Sequence, residues 1–284
     1  MLMKESRKTL LILLVLLFFS FLPTLSEVPF PSQDSPLVMK EVLTQTSVSN
    51  PWLTSAIHIT TVALLFALYR YGSKVGRVAS AFFGILFIFI AFSNHIAVTQ
   101  SYGLVVVTGN LVSVLVVGLF WMWEVYRPRN VYVFQKLAAW RYWVLPFVFV
   151  AFWFPMSAEA GPDFNPLLLL TSSFGVMFCP TTPVVIALLT LIYPSVNKYV
   201  LRVTSFVGLI FGLFNVLSFF VMPGYPLWLL ILHTPLILIS LYGLLLPIIV
   251  KKSVPASIVK GKTSLHGKAK ILLEKPKEQL RIGN

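Results

Sequence analysis

The distribution of charge constrains this chain more than any motif. Divided at its apolar runs, the 284-residue sequence places all of its 22 Lys and Arg residues except Lys40 in alternate connecting segments. The intervening segments carry Glu27, Asp34, Glu41, Glu159 and Asp163. Helices that cross a bilayer keep positive loops on the cytoplasmic face, so this alternation orients the chain. Composition points the same way. The sequence is 57% hydrophobic and only 11% charged, with mean hydropathy +0.87, whereas a soluble domain carries roughly 25% charged residues. The net charge of +13 suggests nucleic acid in a soluble protein, but here it is taken up by short loops and a tail, and nucleic acid is set aside as a partner. The single cysteine, Cys179, cannot form an intramolecular disulfide.

The expected fold class is all-α, a polytopic transmembrane helix bundle of seven spans plus an N-terminal signal peptide or signal anchor. Residues 1–26 have basic Lys4, Arg7 and Lys8, an apolar run from Leu10 to Leu22, and small residues Thr24 and Ser26. That pattern suits either cleavable or retained segments. Residues 27–51 are polar and rich in proline, and read as an extracytoplasmic segment with little fixed structure beyond a short helix over Pro36–Thr46. Residues 52–250 hold seven apolar segments of near-span length. These run from about Trp52 to Tyr69, Val78 to Thr99, Leu104 to Trp123, Tyr142 to Met156, Pro166 to Tyr193, Val203 to Met222 and Leu227 to Val250. Residues 251–284 form a basic tail that places the C-terminus in the cytoplasm of a cell-membrane protein and attracts anionic lipid headgroups. At the inner rim, Trp121, Trp123 and Glu124 read as interfacial anchors, with Glu124 paired to Arg127 or Arg129 across a turn.

Polar groups inside the spans gather at one depth. Counting residues from the outer ends, His58, Asn94, His95, Asn110, Ser172, Ser173, Asn215 and His233 all fall roughly 6–11 Å below the outer boundary. One reading is a polar pocket in the outer half, with Glu159 and Asp163 at its mouth. The other is packing, since such groups hydrogen-bond between membrane helices at about 0.6 kcal/mol each. His58, His95 and His233 also suit a metal by ligand type, although no two stand at i, i+4 on one helix.

The fifth segment contains Phe174, Gly175, Cys179, Pro180, Thr181, Thr182 and Pro183 within one short string. If the helix continues through them, the two prolines free the carbonyls of Val176 and Cys179, and Thr181 and Thr182 can satisfy them. A kink or unwound turn near mid-membrane is expected. It either presents backbone polar groups to a solute, as in discontinuous transporter helices, or bends the helix to follow its neighbours.

This string resembles the F-G-V-x-x-C-P-T-T hallmark of a family of small prokaryotic multi-pass membrane proteins with no established activity. Asn94-His95 takes the place of that family's Tyr-His, Gly109-Asn110-Leu111 falls where it carries Phe-Gly-Ala-Leu, and Trp140-Arg141 opens the fourth span similarly. The resemblance implies a multi-pass membrane domain over about residues 50–250 and names no reaction.

No nucleotide-binding Gly-rich loop, H-E-x-x-H or G-x-S-x-G string is present, so no catalytic residue, cofactor or metal-ligand set is assigned. Three readings follow. The first is binding or transport of a small solute or ion through the outer-half pocket. The second is a non-catalytic accessory or scaffold subunit of a membrane complex. The third is an intramembrane enzyme with a metal on the three histidines.

Overall fold

The structure, a computed structural model, describes residues 2–46, 51–134, 137–157, 159–222 and 224–250. The basic tail from Lys251, together with Lys136 and Pro223, lies outside the described residues. The chain divides into two units, Met1–Leu245 and Leu246–Asn284. The described part of the second is the end of the last helix.

The architecture is mostly helical. In order, the first unit contains α1 (Leu2–Ser20), β1 (Leu25–Ser26), α2 (Ser35–Thr46), α3 (Pro51–Tyr71), α4 (Gly76–Ser93), β2 (Ile96–Thr99), β3 (Gly103–Val106), α5 (Thr108–Tyr126), α6 (Val144–Trp153), α7 (Leu168–Thr171), α8 (Phe178–Ile192), α9 (Lys198–Val221) and most of α10 (Leu227–Ile249). Four helical runs are long and apolar enough to cross a membrane: Pro51–Ser93, Thr108–Tyr126, Lys198–Val221 and Leu227–Ile249. The first is 43 residues long and consists of α3 and α4. A 3-10 turn over Gly72–Val75 separates them, and Gly72 adopts a left-handed φ of +57°, which a side chain would disfavour. The apolar stretches Ala139–Trp153 and Phe178–Ile192 are shorter.

The sheet was not expected. β1, β3 and β2 form a three-stranded antiparallel sheet in that order. The second apolar segment therefore stops being helical at Ser93, and the third becomes helical only at Thr108. Between them, β-branched Ile96, Val98, Val105 and Val106 favour extended chain, and Gly103 turns the hairpin at φ +65°. α2 packs against β2. Val38 and Val42 of α2 share a core with Ala97, Val105 and Val107, closed by Phe30, Met39 and Tyr102. The Glu27 carboxylate accepts the Leu104 amide at 2.9 Å and Glu41 accepts the Ser101 amide at 3.0 Å. The segment after α1 is therefore a small folded layer. The expected Pro36–Thr46 helix is present within it as α2.

α1 is built into the first unit. It packs against α5 and α9, and Leu16 and Ser20 are buried. The Ser20 hydroxyl donates to the Leu16 carbonyl at 2.8 Å and lies 3.2 Å from the Ser113 hydroxyl of α5. Elsewhere α4 lies along α5, α8 packs on α6 and α9, and α3 meets α7. α9 and α10 approach through small residues: a Cβ at Gly208 would strike the Ser240 hydroxyl, and one at Gly243 the Ser205 hydroxyl. Lipid gives no hydrophobic force between helices, so such close approach supplies packing instead. α6 ends where Phe154 takes a left-handed φ of +41° ahead of Pro155.

Candidate functional site

The break in the fifth segment lies earlier than the prolines suggest. α7 stops at Thr171, Ser172 is extended, and α8 starts only at Phe178. Pro180 occupies the first turn of α8, where an amide has no helical partner to lose, and only Pro183 is inside the helix. Of the kink or unwound turn expected, the structure has an unwound stretch, over residues 172–177.

Four elements, α3, α4, α6 and α8, fasten this stretch. The Asn94 amide, at the end of α4, donates to the Val176 carbonyl at 2.5 Å. The Thr181 hydroxyl donates to the Met177 carbonyl at 2.6 Å and accepts the Gly175 amide at 2.8 Å. Gly175 has φ +81° and lies against α3 so closely that a Cβ would run into Ile57. Phe174, fully buried, packs its ring 4.7 Å from Phe152 and 5.1 Å from the His58 ring. Unpaired backbone groups away from water are costly. Asn94 and Thr181 therefore replace the helical bonds that the stretch gives up.

His58, also fully buried, bridges α3 to the break. Its Nδ1 is 2.8 Å from the Thr54 carbonyl, and its Nε2 is 3.1 Å from the Ser172 hydroxyl. That hydroxyl is 3.1 Å from the Phe152 carbonyl of α6 and accepts the Phe174 amide at 3.3 Å.

The remaining residues of the expected pocket have separate partners. His95 Nδ1 reaches the Ala91 carbonyl at 3.0 Å, with its ring edge-on to Phe211. Asn215 donates to the Phe211 carbonyl at 2.8 Å and accepts the Tyr225 hydroxyl at 2.8 Å. His233 Nδ1 reaches the Leu229 carbonyl at 2.6 Å. Among the described residues, the Asn110 side-chain amide makes a long contact of 4.0 Å to the Met39 sulfur. The Ser173 carbonyl accepts the Met177 amide at 2.9 Å. The common depth therefore resolves into several local bonds around different helices. His58, Ser172, Ser173 and Asn94 come together at the break, and the other four serve their own neighbourhoods. Among the described residues, no group of three His, Cys, Asp or Glu side chains is placed to hold a metal ion. The metal reading of the three histidines is not carried forward.

A second polar cluster, in the connections after α5 and before α9, was only partly foreseen. Glu124 is buried and works through backbone amides instead of guanidinium groups. One oxygen accepts the amides of Arg129 and Asn130, both at 2.5 Å, and the other accepts the Asn197 side-chain amide at 2.6 Å. Asn130 in turn accepts the Asn197 amide at 2.7 Å. These bonds join the connection after α5 to the one before α9, where Asn197 also caps α9 by accepting the Tyr199 amide at 3.1 Å. An Asn directly before an apolar helix signals such a cap. Nothing in the sequence pairs it with Glu124, 73 positions away. Buried Arg141 donates to the Tyr193 carbonyl at 3.1 Å and to the Thr190 carbonyl, closing the C-terminus of α8, where cations are favoured. In the connection after α5, burial pushes the Tyr132 phenol up to about 12, and the nearby Glu124 carboxylate adds to the shift.

No family model, curated protein or solved structure matches this chain.

Proposed function

We propose that this is a multi-pass cell-membrane protein that binds or transports a small solute or ion at the unwound stretch between α7 and α8. In this reading α3, α4, α5, α6, the α7–α8 pair, α9 and α10 make seven spans, and α1 is a retained N-terminal anchor. The basic connections and the C-terminal tail face the cytoplasm, where the tail meets anionic lipid headgroups. The F-G-V-x-x-C-P-T-T string supports a resemblance to the family of small multi-pass membrane proteins.

One observation carries the functional part. Six consecutive residues leave helical geometry in the middle of an apolar segment and are held there by side chains from other elements. Non-helical backbone at membrane depth is tolerated where protein or a water-filled cavity surrounds it, and transporters place solute and ion sites at such discontinuities. The test is flux into proteoliposomes, with thermal stabilisation by candidate solutes and ions as a second readout. The proposal expects one class to be carried, and to stabilise the protein. A broad panel giving neither flux nor stabilisation would contradict it.

A scaffold or accessory subunit is the second reading. It is favoured by the outer polar side chains, which nearly all have internal partners. Recovery of a stoichiometric partner from native membranes, together with absence of flux, would favour it over the first.

A further inference from the structure

We infer that His58 is a proton-binding site, and that the bound proton completes the fastening of the α7–α8 break. The inference comes from counting hydrogens. Four groups form a chain of three contacts: the Thr54 carbonyl, the His58 ring, the Ser172 hydroxyl and the Phe152 carbonyl, at 2.8, 3.1 and 3.1 Å. Both ends are carbonyls, which only accept. Three contacts need three hydrogens, but a neutral imidazole and one hydroxyl supply two. With the proton on Nδ1, Ser172 must choose between His58 Nε2 and the Phe152 carbonyl. With the proton on Nε2, the bare Nδ1 faces the Thr54 carbonyl. Either neutral tautomer leaves one contact unmade.

The imidazolium makes all three. Nδ1–H donates to Thr54, Nε2–H donates to Ser172, and the Ser172 hydroxyl is released to donate to Phe152. It still accepts the Phe174 amide. The ring centroids of Phe152 and Phe174 lie 4.8 and 5.1 Å from that of His58, in edge contacts that hold the imidazole in place. Opposing protonation is the cost of a buried charge, against which the two charge-assisted hydrogen bonds of the ring act.

Other ionisable groups on the elements around the ring stand apart from it in sequence. α3 carries Tyr69, Arg70 and Tyr71 at its opposite end, and Arg141 and Tyr142 precede α6. Glu159 and Asp163 lie in the connection after α6, and α8 carries Cys179. None is hydrogen-bonded to the ring among the described residues. The proton therefore acts through the chain of bonds itself. When present it ties α3, α6 and the break together, and when absent one tie opens. This holds whether or not a solute crosses at the break.

The test is nitrogen NMR of histidine-labelled full-length protein in lipid nanodiscs, titrated between about pH 8 and 5, with the signal assigned by its loss in His58→Gln. A doubly protonated His58 ring is expected to appear as the pH falls. Ser172→Ala removes the acceptor for Nε2–H and is expected to lower proton affinity about tenfold, moving the midpoint down about one pH unit. Ser172→Thr keeps the hydroxyl and is expected to titrate like the wild type. A wild-type ring that stays neutral throughout overturns the inference even if the variants fail to fold. So does a Ser172→Ala midpoint equal to that of the wild type.

Discussion

Asn94 shows how one side chain stands in for a missing helical bond. Its amide fills the Val176 carbonyl, the same carbonyl that the sequence marks as freed by Pro180. The need was legible in the sequence but the donor was not, because helical register across α4 and the break is invisible to hydropathy. Asn94→Ala is expected to destabilise the protein by about 1–3 kcal/mol, the cost of a buried polar group left unpaired, read by denaturant unfolding in detergent. Unchanged stability would mean that water already serves Val176. Tyr132 offers a pH test. Its folded value is raised to about 12, so the neutral phenol's contribution is whole below about pH 10 and is lost as pH rises toward 12. The loss is on the order of 2 kcal/mol. Tyr132→Phe should be less sensitive than wild type to alkali between pH 10 and 12 in melting temperature. Parallel curves would refute the assignment.

Elements were legible where hydropathy and helical length coincide. α3, α9 and α10 lie close to their expected bounds, and α2 appears where a short helix was read. The hairpin of β2 and β3 was missed because its short apolar strands prolong the apolar runs of α4 and α5. The break was misplaced because a proline costs little in a first turn. At this scale Gly175 is decisive. Its positive φ and contact with Ile57 predict that Gly175→Ala destabilises by about 2 kcal/mol or more. Adding Ile57→Ala should recover the clash but not the backbone strain, so rescue in unfolding experiments should be partial. Full rescue would show that φ at this position is unimportant. For α1, paired cysteines at Ser20 and Ser113, whose hydroxyls lie 3.2 Å apart, are expected to oxidise to a disulfide in a Cys179→Ser background. Mass spectrometry should find the helix still attached to the chain after reduction. A product lacking α1 would contradict its role as an anchor.

At the scale of the molecule, the candidate site was half legible. Counting residues along spans gives depth, and depth alone grouped eight polar residues that differ in azimuth around the helices. His58, Ser172, Ser173 and Asn94 come together at the break, while His95, Asn110, Asn215 and His233 are engaged elsewhere. Glu124, Asn130 and Asn197 form a site that depth counting could not rank, because most of their partners are backbone amides of connecting segments. The proposed topology sets these groups in a bilayer with the basic connections inside. The most direct measurement is labelling of intact cells with a membrane-impermeant maleimide, using single cysteines in a Cys179→Ser background. Lys40→Cys and Asp163→Cys should label from outside, whereas Lys74→Cys and Lys198→Cys should label only after the cells are opened. Labelling of Lys74→Cys or Lys198→Cys in sealed cells would contradict the account.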